Sequence, residues 1–252
     1  MLTEQRHLAI LEELRLTGRV LARELAERLQ VSEDTIRRDL RELSARGALQ
    51  RVHGGALPMS PALANLARRS AIAVDEKQAL GRHAAALIAE GQLVFVDGGT
   101  STLALVQQLP ATLRATVATH SPVIAAALIE HPTVEVLTLG GRLFKHSGVA
   151  VGAGVAQAIQ SLRADCYFLG VTGVEAGFGL STGDAEEAQV KALLMASAAE
   201  TVLMASSDKL GKVSPYRVAP LSALSTLIVT PQADPAQLDA LRLPGLDVQI
   251  SG

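Results

Sequence analysis

Residues 31–43 read Val31-Ser-Glu-Asp-Thr-Ile-Arg-Arg-Asp-Leu-Arg-Glu-Leu43. Ser32 suits a helix N-cap, and Glu33 and Asp34 fall in the first turn, where carboxylates meet the positive end of a helix. At about 100° per residue, Ile36, Leu40 and Leu43 share one side. Arg37, Arg38 and Arg41 share the opposite side, with Asp34 among them and Thr35 on the flank near the helix start. Upstream, Leu21, Leu25 and Leu29, beside Ala22 and Ala26, form the apolar stripe of a second helix, and Leu8, Leu11 and Leu14 that of a first. Gly18 separates the first two helices; the three residues Gln30-Val31-Ser32 separate the last two. Short helices joined by such a turn make a helix-turn-helix. A strand at Leu49–Val52 and a Gly54-Gly55 turn then suffice for a small wing.

In a helix-turn-helix the N-terminal part of the second helix enters the major groove of DNA. Arginine there can bridge guanine O6 and N7 or pair with phosphate. Arg46, Arg51 and His53 extend the basic surface into the wing. A solvated helix face also carries charge, and Asp39 and Glu42 lie nearby, but the turn, cap, apolar stripe and arginine face coincide in one short stretch. Ser32, Thr35, Arg37, Arg38, Arg41, Arg51 and His53 are therefore the candidate contacts to double-stranded DNA.

The whole chain has 252 residues and a net charge of −2, which excludes a histone-like polycation. Residues 1–53 hold ten Arg, no Lys and nine acids, so any basic surface is local. Tyr and Phe total six and Trp is absent, too few aromatic platforms for single-strand binding by base stacking. The one cysteine, Cys166, cannot form an internal disulfide and sits in an apolar run, as a small buried hydrophobe would. The first sixteen residues carry acids and bases throughout, unlike a signal peptide, and no window approaches 18 uncharged apolar residues. The expectation is a soluble cytoplasmic protein without membrane partners.

Composition changes near residue 57. Leu57-Pro-Met-Ser-Pro-Ala-Leu-Ala-Asn65 has two prolines and no clear period. The expected division is 1–57 for the DNA-binding domain, 58–74 for a linker and 75–252 for a second domain. In that second domain, apolar runs at Leu93–Asp97, Thr116–Thr119, Val134–Leu139, Cys166–Val171, Thr201–Ala205, Thr226–Val229 and Asp247–Ile250 read as strands covered on both faces. Helical patterns intervene at Lys77–Ile88, Ser101–Gln108, Ser121–Ile129, Ala153–Leu162 and Asp184–Ala199. The alternation predicts a Rossmann-like, largely parallel α/β sheet.

The first of these strands runs into Asp97-Gly98-Gly99-Thr100-Ser101-Thr102 and then a helix. Glycines allow close backbone approach, a helix start offers unpaired N–H groups, and three hydroxyls add donors. The loop is neither a Walker P-loop nor a dinucleotide GxGxxG. A tight strand-to-helix turn capped by Thr or Ser has the same composition. Glycine-bearing turns also follow two further strands, at Leu139-Gly140-Gly141-Arg142 and Phe168-Leu-Gly-Val-Thr-Gly-Val174, and such turns are where open α/β sheets bind ligands. Lys191, in an apolar stretch, and Lys209 could each lend a charge to phosphate, although Glu187 at i−4 also makes a surface ion pair with Lys191 plausible. Lys77 reads as an exposed charge.

Thr35-Ile-Arg-Arg-Asp-Leu40 followed by Arg51-Val-His-Gly-Gly-Ala56 resembles the winged helix-turn-helix of the DeoR family of bacterial sugar-metabolism repressors, and the resemblance runs through nearly the whole chain. It implies Val20–Asp39 as the helix-turn-helix proper. It further implies a second domain similar in fold to ribose-5-phosphate isomerase, in which Asp97, Gly98, Gly99, Thr100, Ser101 and Thr102 cradle a sugar phosphate, helped by Lys191 and Lys209; Gly140 and Gly141 complete the candidate effector site. Two positions depart from the family pattern: Ser206 stands where aspartate is usual, and His120 where the family favours asparagine.

The expected function is a repressor whose operator affinity is set by a phosphorylated sugar, acting as a homodimer or homotetramer. The alternative is an isomerase-like enzyme with a DNA-binding head. Aldose–ketose isomerisation needs a placed acid and base. Gly173-Val-Glu-Ala-Gly-Phe-Gly-Leu-Ser-Thr182, where isomerases carry an acid-rich loop, has one acid, Glu175, so no catalytic residue is assigned. The histidines at 7, 53, 83, 120, 131 and 146 show no paired metal spacing, and no metal or cofactor is expected.

Overall fold

The computed structural model describes residues 2–17, 19–46, 48–52, 54–58 and 64–252, the side chains of 15, 16, 57 and 58 excepted. The chain divides into two compact units, Met1–Leu63 and Ala64–Gly252. The first holds α1 (Thr3–Thr17), β1 (Val20–Leu21), α2 (Ala22–Leu29), α3 (Glu33–Ala45), β2 (Leu49–Val52) and β3 (Gly55–Pro58). The strands form an antiparallel sheet in the order β1-β3-β2, a wing one strand larger on each side of the turn than the sequence suggested. Its core joins Leu25 of α2, Ile36, Leu40 and Leu43 of α3 and Leu49 of β2.

Two residues assigned to the apolar stripes sit elsewhere. Leu8 is 68% exposed, while α1 buries Arg6, His7, Ile10 and Leu14. Leu8 lies about 200° around the helix from Ile10, and the polar pair can occupy the inner face because an acid on α3 receives it. Leu21 belongs to β1, ahead of α2, and is 39% exposed.

The second unit opens with α4 (Leu66–Ser70) and α5 (Val74–Ala85). Residues 64–73, read above as linker, thus contain a short helix, capped by Asn65 Oδ1 accepting from the Arg68 amide at 3.0 Å. There follow β4 (Leu93–Val96), α6 (Thr100–Val106), β5 (Thr116–Thr119), α7 (Pro122–Ala127), β6 (Glu135–Thr138), β7 (Arg142–Phe144), β8 (Val149–Val151) and α8 (Ala153–Gln160). The chain continues through β9 (Ala164–Leu169), β10 (Gly173–Glu175), β11 (Gly179–Thr182), α9 (Ala185–Ala196), β12 (Ala198–Ala205), β13 (Tyr216–Ala219), β14 (Thr226–Val229), α10 (Pro235–Leu241) and β15 (Asp247–Ile250).

The seven runs expected as strands are the seven strands of one parallel sheet, ordered β15-β14-β12-β9-β4-β5-β6. Alternate residues face opposite cores: Val94 and Val96 pack with Leu80, Leu105 and Ile124 on one face, and Phe95 packs with Val155, Ile159 and Leu194 on the other. Cover on both faces explains the apolar runs of the central strands, while the edge strands β6 and β15 are partly exposed. The chain builds outward from β4 to β6, returns, and builds the other way from β9 to β15. Neighbouring β4 and β9 therefore flank the topological switch point, where open α/β sheets bind ligands beyond the strand C-termini. The strands missed in the sequence form two small antiparallel sheets, β7-β8 and β10-β11-β13. Cys166 is buried, and burial pushes its thiol up to about 12, with Glu200 and Asp165 adding to the effect. Among the described residues no helix is long and apolar enough to cross a membrane.

Candidate functional site

The turn before α3 is held by Gln30, in the left-handed region at φ 53° and ψ 46°. Ser32 Oγ accepts the Thr35 amide at 3.2 Å and lies 2.8 Å from Thr35 Oγ1, so both hydroxyls sit together at the helix start. Arg37, Arg38 and Arg41 are exposed along the outer face, and Arg51 is exposed on the wing strand β2. Arg37 donates to Glu33 one turn back at 2.7 Å, and Arg41 Nε donates to the Arg37 carbonyl at 3.3 Å. Arg38 forms no ion pair among the described residues. An exposed pair such as Glu33–Arg37 contributes only about 0.3–0.5 kcal/mol, so its guanidinium exchanges readily for another anion. His53 lies outside the described residues.

Asp39 does not weaken this face, because it points inward. It is fully buried and takes Arg6 Nε in a short ion pair, Arg6 Nη2 at 2.9 Å and His7 Nε2 at 3.3 Å. Burial by itself would raise the pKa of Asp39, but the bond to Arg6, its charge and His7 outweigh it, and the carboxyl is held below its usual range. His7, Asp39 and Glu42 bring potential metal-ligating atoms within 4.8 Å of one another, yet the Arg6 guanidinium already supplies the cation there.

In the second unit the loop after β4 lies at the switch point. Gly98 is pressed so close to its neighbours that a Cβ would come 2.1 Å from Val149 Cγ1. Gly99, at φ 152° and ψ 172°, occupies a region essentially reserved for glycine. Thr102 Oγ1 bonds the Gly99 carbonyl at 3.0 Å, and Thr100 is half-buried beside it. Asp97 faces inward with no exposed surface. It accepts from the amides of Gly98 and Gly170 at 2.8 Å each, from His120 Nε2 at 2.8 Å and from Lys191 Nζ at 2.5 Å. One carboxylate thereby ties β4, the end of β9, the turn after β5 and helix α9 together.

Lys191 is spent within this network. Its ammonium also meets Glu187 at 3.2 Å, and Ser147 Oγ donates to Glu187 at 3.0 Å. The Glu187–Lys191 pair expected at the surface is buried, with side chains 4% and 1% exposed. Burial opposes the Lys191 charge, but Asp97 and Glu187 outweigh it and raise its pKa; burial likewise opposes the Asp97 charge, and Lys191 and His120 bring that carboxyl well below its usual range. His120 Nδ1 lies 2.8 Å from the Ala150 carbonyl.

Lys209 is differently placed. It is buried, its Nζ donates to Ser101 Oγ at 3.1 Å, and it forms no ion pair among the described residues. Burial, with the charges of Lys77, Arg69 and Lys191, lowers its pKa to about 8 despite Asp208. Ser206 Oγ, at the departure from the family pattern, donates to Asp208 at 2.6 Å. Gly140 and Gly141 belong elsewhere: they line a cavity of about 640 Å³ between α7 and the β6–β7 edge, where Thr119 and His120 also open. Residues 97–102, Lys191 and Lys209 do not line it.

Residues 6–61 match the DeoR-like helix-turn-helix domain, and residues 72–230 match the DeoR C terminal sensor domain. The chain belongs to the DeoR family. Curated relatives of this DeoR-family chain are transcriptional regulators. The transcriptional repressor GlcR of Bacillus subtilis is 31% identical over 253 residues, spanning 100% of this chain and 97% of that protein. The regulator GlpR of Haloferax volcanii is 32% identical over 226 residues, 89% and 88% of the two chains. The glycerol-3-phosphate regulon repressor of Escherichia coli is 29% identical over 224 residues, 88% and 89%. Solved structures with partial likeness include a probable sor operon regulator from Shigella flexneri (TM-score 0.44, 11% identity, 68% of this chain and 91% of that one). Another is ribose 5-phosphate isomerase A from Methanocaldococcus jannaschii (TM-score 0.40, 15% identity, 54% of each).

Two cations of the DeoR sensor unit escaped the sequence reading. Lys77 is 5% exposed, not a surface charge; its ammonium donates to the Arg69 carbonyl at 2.6 Å and, in a short bond, to that of Ile72. Arg69 lies on α4, which packs against α6. Its Nε and Nη2 are buried and have no hydrogen-bond partner among the described residues. The Asn65 cap was a legible signal for α4, but nothing in the local pattern of Arg68-Arg69 tells which arginine turns inward.

Proposed function

We propose that this DeoR-family chain is a repressor of a carbohydrate operon, released or retained on its operator by a phosphorylated sugar bound at the β4–β9 switch point. The observation that carries the reading is Lys209: a buried ammonium, in no ion pair among the described residues, hydrogen-bonded to a hydroxyl of the glycine loop. Leaving a charge buried and unpaired is costly, and a phosphate offers the missing counter-charge. Gly98, Gly99, Thr100, Ser101 and Thr102 supply the amides and hydroxyls of the cradle. Asp97 and Lys191 hold that loop in shape, and the cavity at Gly140 and Gly141 takes a less polar part of a ligand. In the first unit, Ser32, Thr35, Arg37, Arg38, Arg41 and Arg51 contact DNA. Two or four copies bind repeated half-sites, in the cytoplasm.

The test is operator binding by fluorescence anisotropy on a fragment from upstream of the chain's own gene, with and without a panel of sugar phosphates. At least one should change affinity by about 5–150-fold, the usual span of allosteric coupling. Lys209→Met should keep the unliganded affinity and lose that response. Unchanged affinity with every sugar phosphate, together with no thermal shift from any of them, would overturn the effector reading.

A further inference from the structure

We infer that the open edge of β6, with the apolar groove beside it, is the face by which two copies of this chain pair, antiparallel and about a two-fold axis. This rests on the reading above that the chain acts as more than one copy, and goes beyond it by naming the surface and the orientation.

β6 ends the parallel sheet, with β5 on one side and no strand on the other among the described residues. The amides of Glu135 and Leu139 donate to the carbonyls of Ala115 and Thr119 on the β5 side, at 3.0 and 2.8 Å. Strand alternation therefore turns the N–H and C=O groups of Val136 and Thr138 outward, away from β5. An unpaired edge is a template for another strand, and proteins that keep it free blunt it with lysine, proline or a bulge. Glu135-Val-Leu-Thr138 has none of these, and its register with β5 is unbroken. The cavity of about 640 Å³ runs beside this strand, lined by Val134 and Val136, by Ala125 and Ala126 of α7, and by Ile129 just beyond that helix. Ile129 is 73% exposed, and Leu143, which lines the same cavity, is 46% exposed. Large apolar side chains left open beside an apolar groove and a free edge mark a surface that a partner covers.

Charge selects a second copy as that partner and sets its direction. Glu130 and Glu135 are exposed at the start of β6, and Arg142 and Lys145 are exposed beyond its end. Arg142 shares its charge with Glu186 in a short surface pair. Two β6 strands laid antiparallel bring the acidic start of each toward the basic end of the other, whereas a parallel arrangement sets like charge beside like. A two-fold axis uses the same patch on both copies, so the apolar rims also meet one another. The pairing continues the sheet from one copy into the next through the outward groups of Val136 and Thr138, the strand-addition mode of recognition. It also closes the open side of each cavity.

Sedimentation velocity of the full chain over a range of concentrations compares wild type with Thr138→Pro, Ile129→Glu and Ile250→Glu. Thr138→Pro removes an outward N–H that the sheet of its own copy does not use, and proline is tolerated on edge strands, so the variant should keep the wild-type circular dichroism. Ile250, 55% exposed on the opposite edge strand β15, is the control. Wild type should sediment as paired copies that separate on dilution. Thr138→Pro and Ile129→Glu should each raise the dissociation constant by about 10-fold or more, and Ile250→Glu should leave it unchanged. If Thr138→Pro does not fold, Ile129→Glu, at an exposed position, decides. Variants at 129 and 138 that assemble as wild type does, or a control that weakens assembly equally, overturn the inference and leave the reading of paired copies standing. A wild type that stays monomeric at every concentration overturns both.

Discussion

Asp97→Asn isolates the joint on which the sensor unit turns. The wild-type carboxylate accepts two amides, an imidazole and an ammonium, all within 2.8 Å. Asparagine keeps the shape, but its NH2 group faces donors where an oxygen accepted them, and Lys191 loses one of its two counter-charges. Removing one partner of a buried ion pair costs about 3–5 kcal/mol. Lys191 retains Glu187 at 3.2 Å, which places the expectation at the lower end, about 3 kcal/mol. At about 2–4 °C per kcal/mol for a unit of this size, the sensor transition should fall by roughly 6–12 °C. Scanning calorimetry on the whole chain should show that drop in the sensor transition and none in the DNA-binding unit. The pH dependence follows from the lowered pKa. In the unfolded chain Asp97 titrates near its ordinary value of about 3.9. Its stabilisation is complete well above that value and is lost as pH falls toward the folded pKa, so the gap between variant and wild type should narrow by up to about 1.4 kcal/mol per pH unit below about 4. A loss under about 1 kcal/mol at neutral pH, with the effector response abolished, would refute this reasoning and make Asp97 a ligand contact rather than the anchor of the loop.

Asp39→Asn should destabilise the DNA-binding unit by about 3 kcal/mol, since it removes the buried carboxylate that Arg6 and His7 meet; urea denaturation of that unit at neutral pH measures it, and the wild-type advantage should shrink as pH drops through the acid range. Gln30→Gly relieves a left-handed residue costing about 1–2 kcal/mol, partly offset by glycine's greater freedom in the unfolded chain. The net gain should be up to about 1 kcal/mol, and a lower Tm for this variant would contradict the turn geometry. Lys209, with its pKa brought down to about 8, binds fewer protons folded than unfolded between there and its ordinary value of about 10.4. Unliganded stability should therefore gain up to about 1.4 kcal/mol per pH unit across that window, a contribution that Lys209→Met abolishes. Arg38→Ala should weaken operator binding by about 1–3 kcal/mol if it reads a base, or reduce the salt slope by about 1 if it holds a phosphate; anisotropy titrations at several salt concentrations separate the two, and unchanged binding removes Arg38 from the interface.

Period and punctuation made much of this molecule legible. Ile36, Leu40 and Leu43 repeat at helical spacing and are the buried face of α3, while Arg37, Arg38 and Arg41 necessarily take the other. The strands of the parallel sheet announced themselves because the central ones are covered on both faces and are apolar nearly throughout. Short strands with mixed or Gly-bearing patterns, such as Gly173–Glu175 and Gly179–Thr182, gave no such run and were missed. Leu8 was misassigned because burial on α1 goes to Arg6 and His7, which only an acid on another helix makes tolerable.

Local order therefore settled the longer helices and the seven strands of the parallel sheet, which arginines of α3 stand outward, and that a glycine loop follows β4. Tertiary structure alone decided the inward or outward fate of each charge. Asp97 lies 73 residues from Gly170 and 94 from Lys191 along the chain, yet bonds both. Lys77 and Arg69 carry no mark distinguishing them from Arg68, which stays exposed. A charge enters the interior only when distant partners, or an intended ligand, compensate its desolvation, and those partners are brought together by the return of the chain across the sheet.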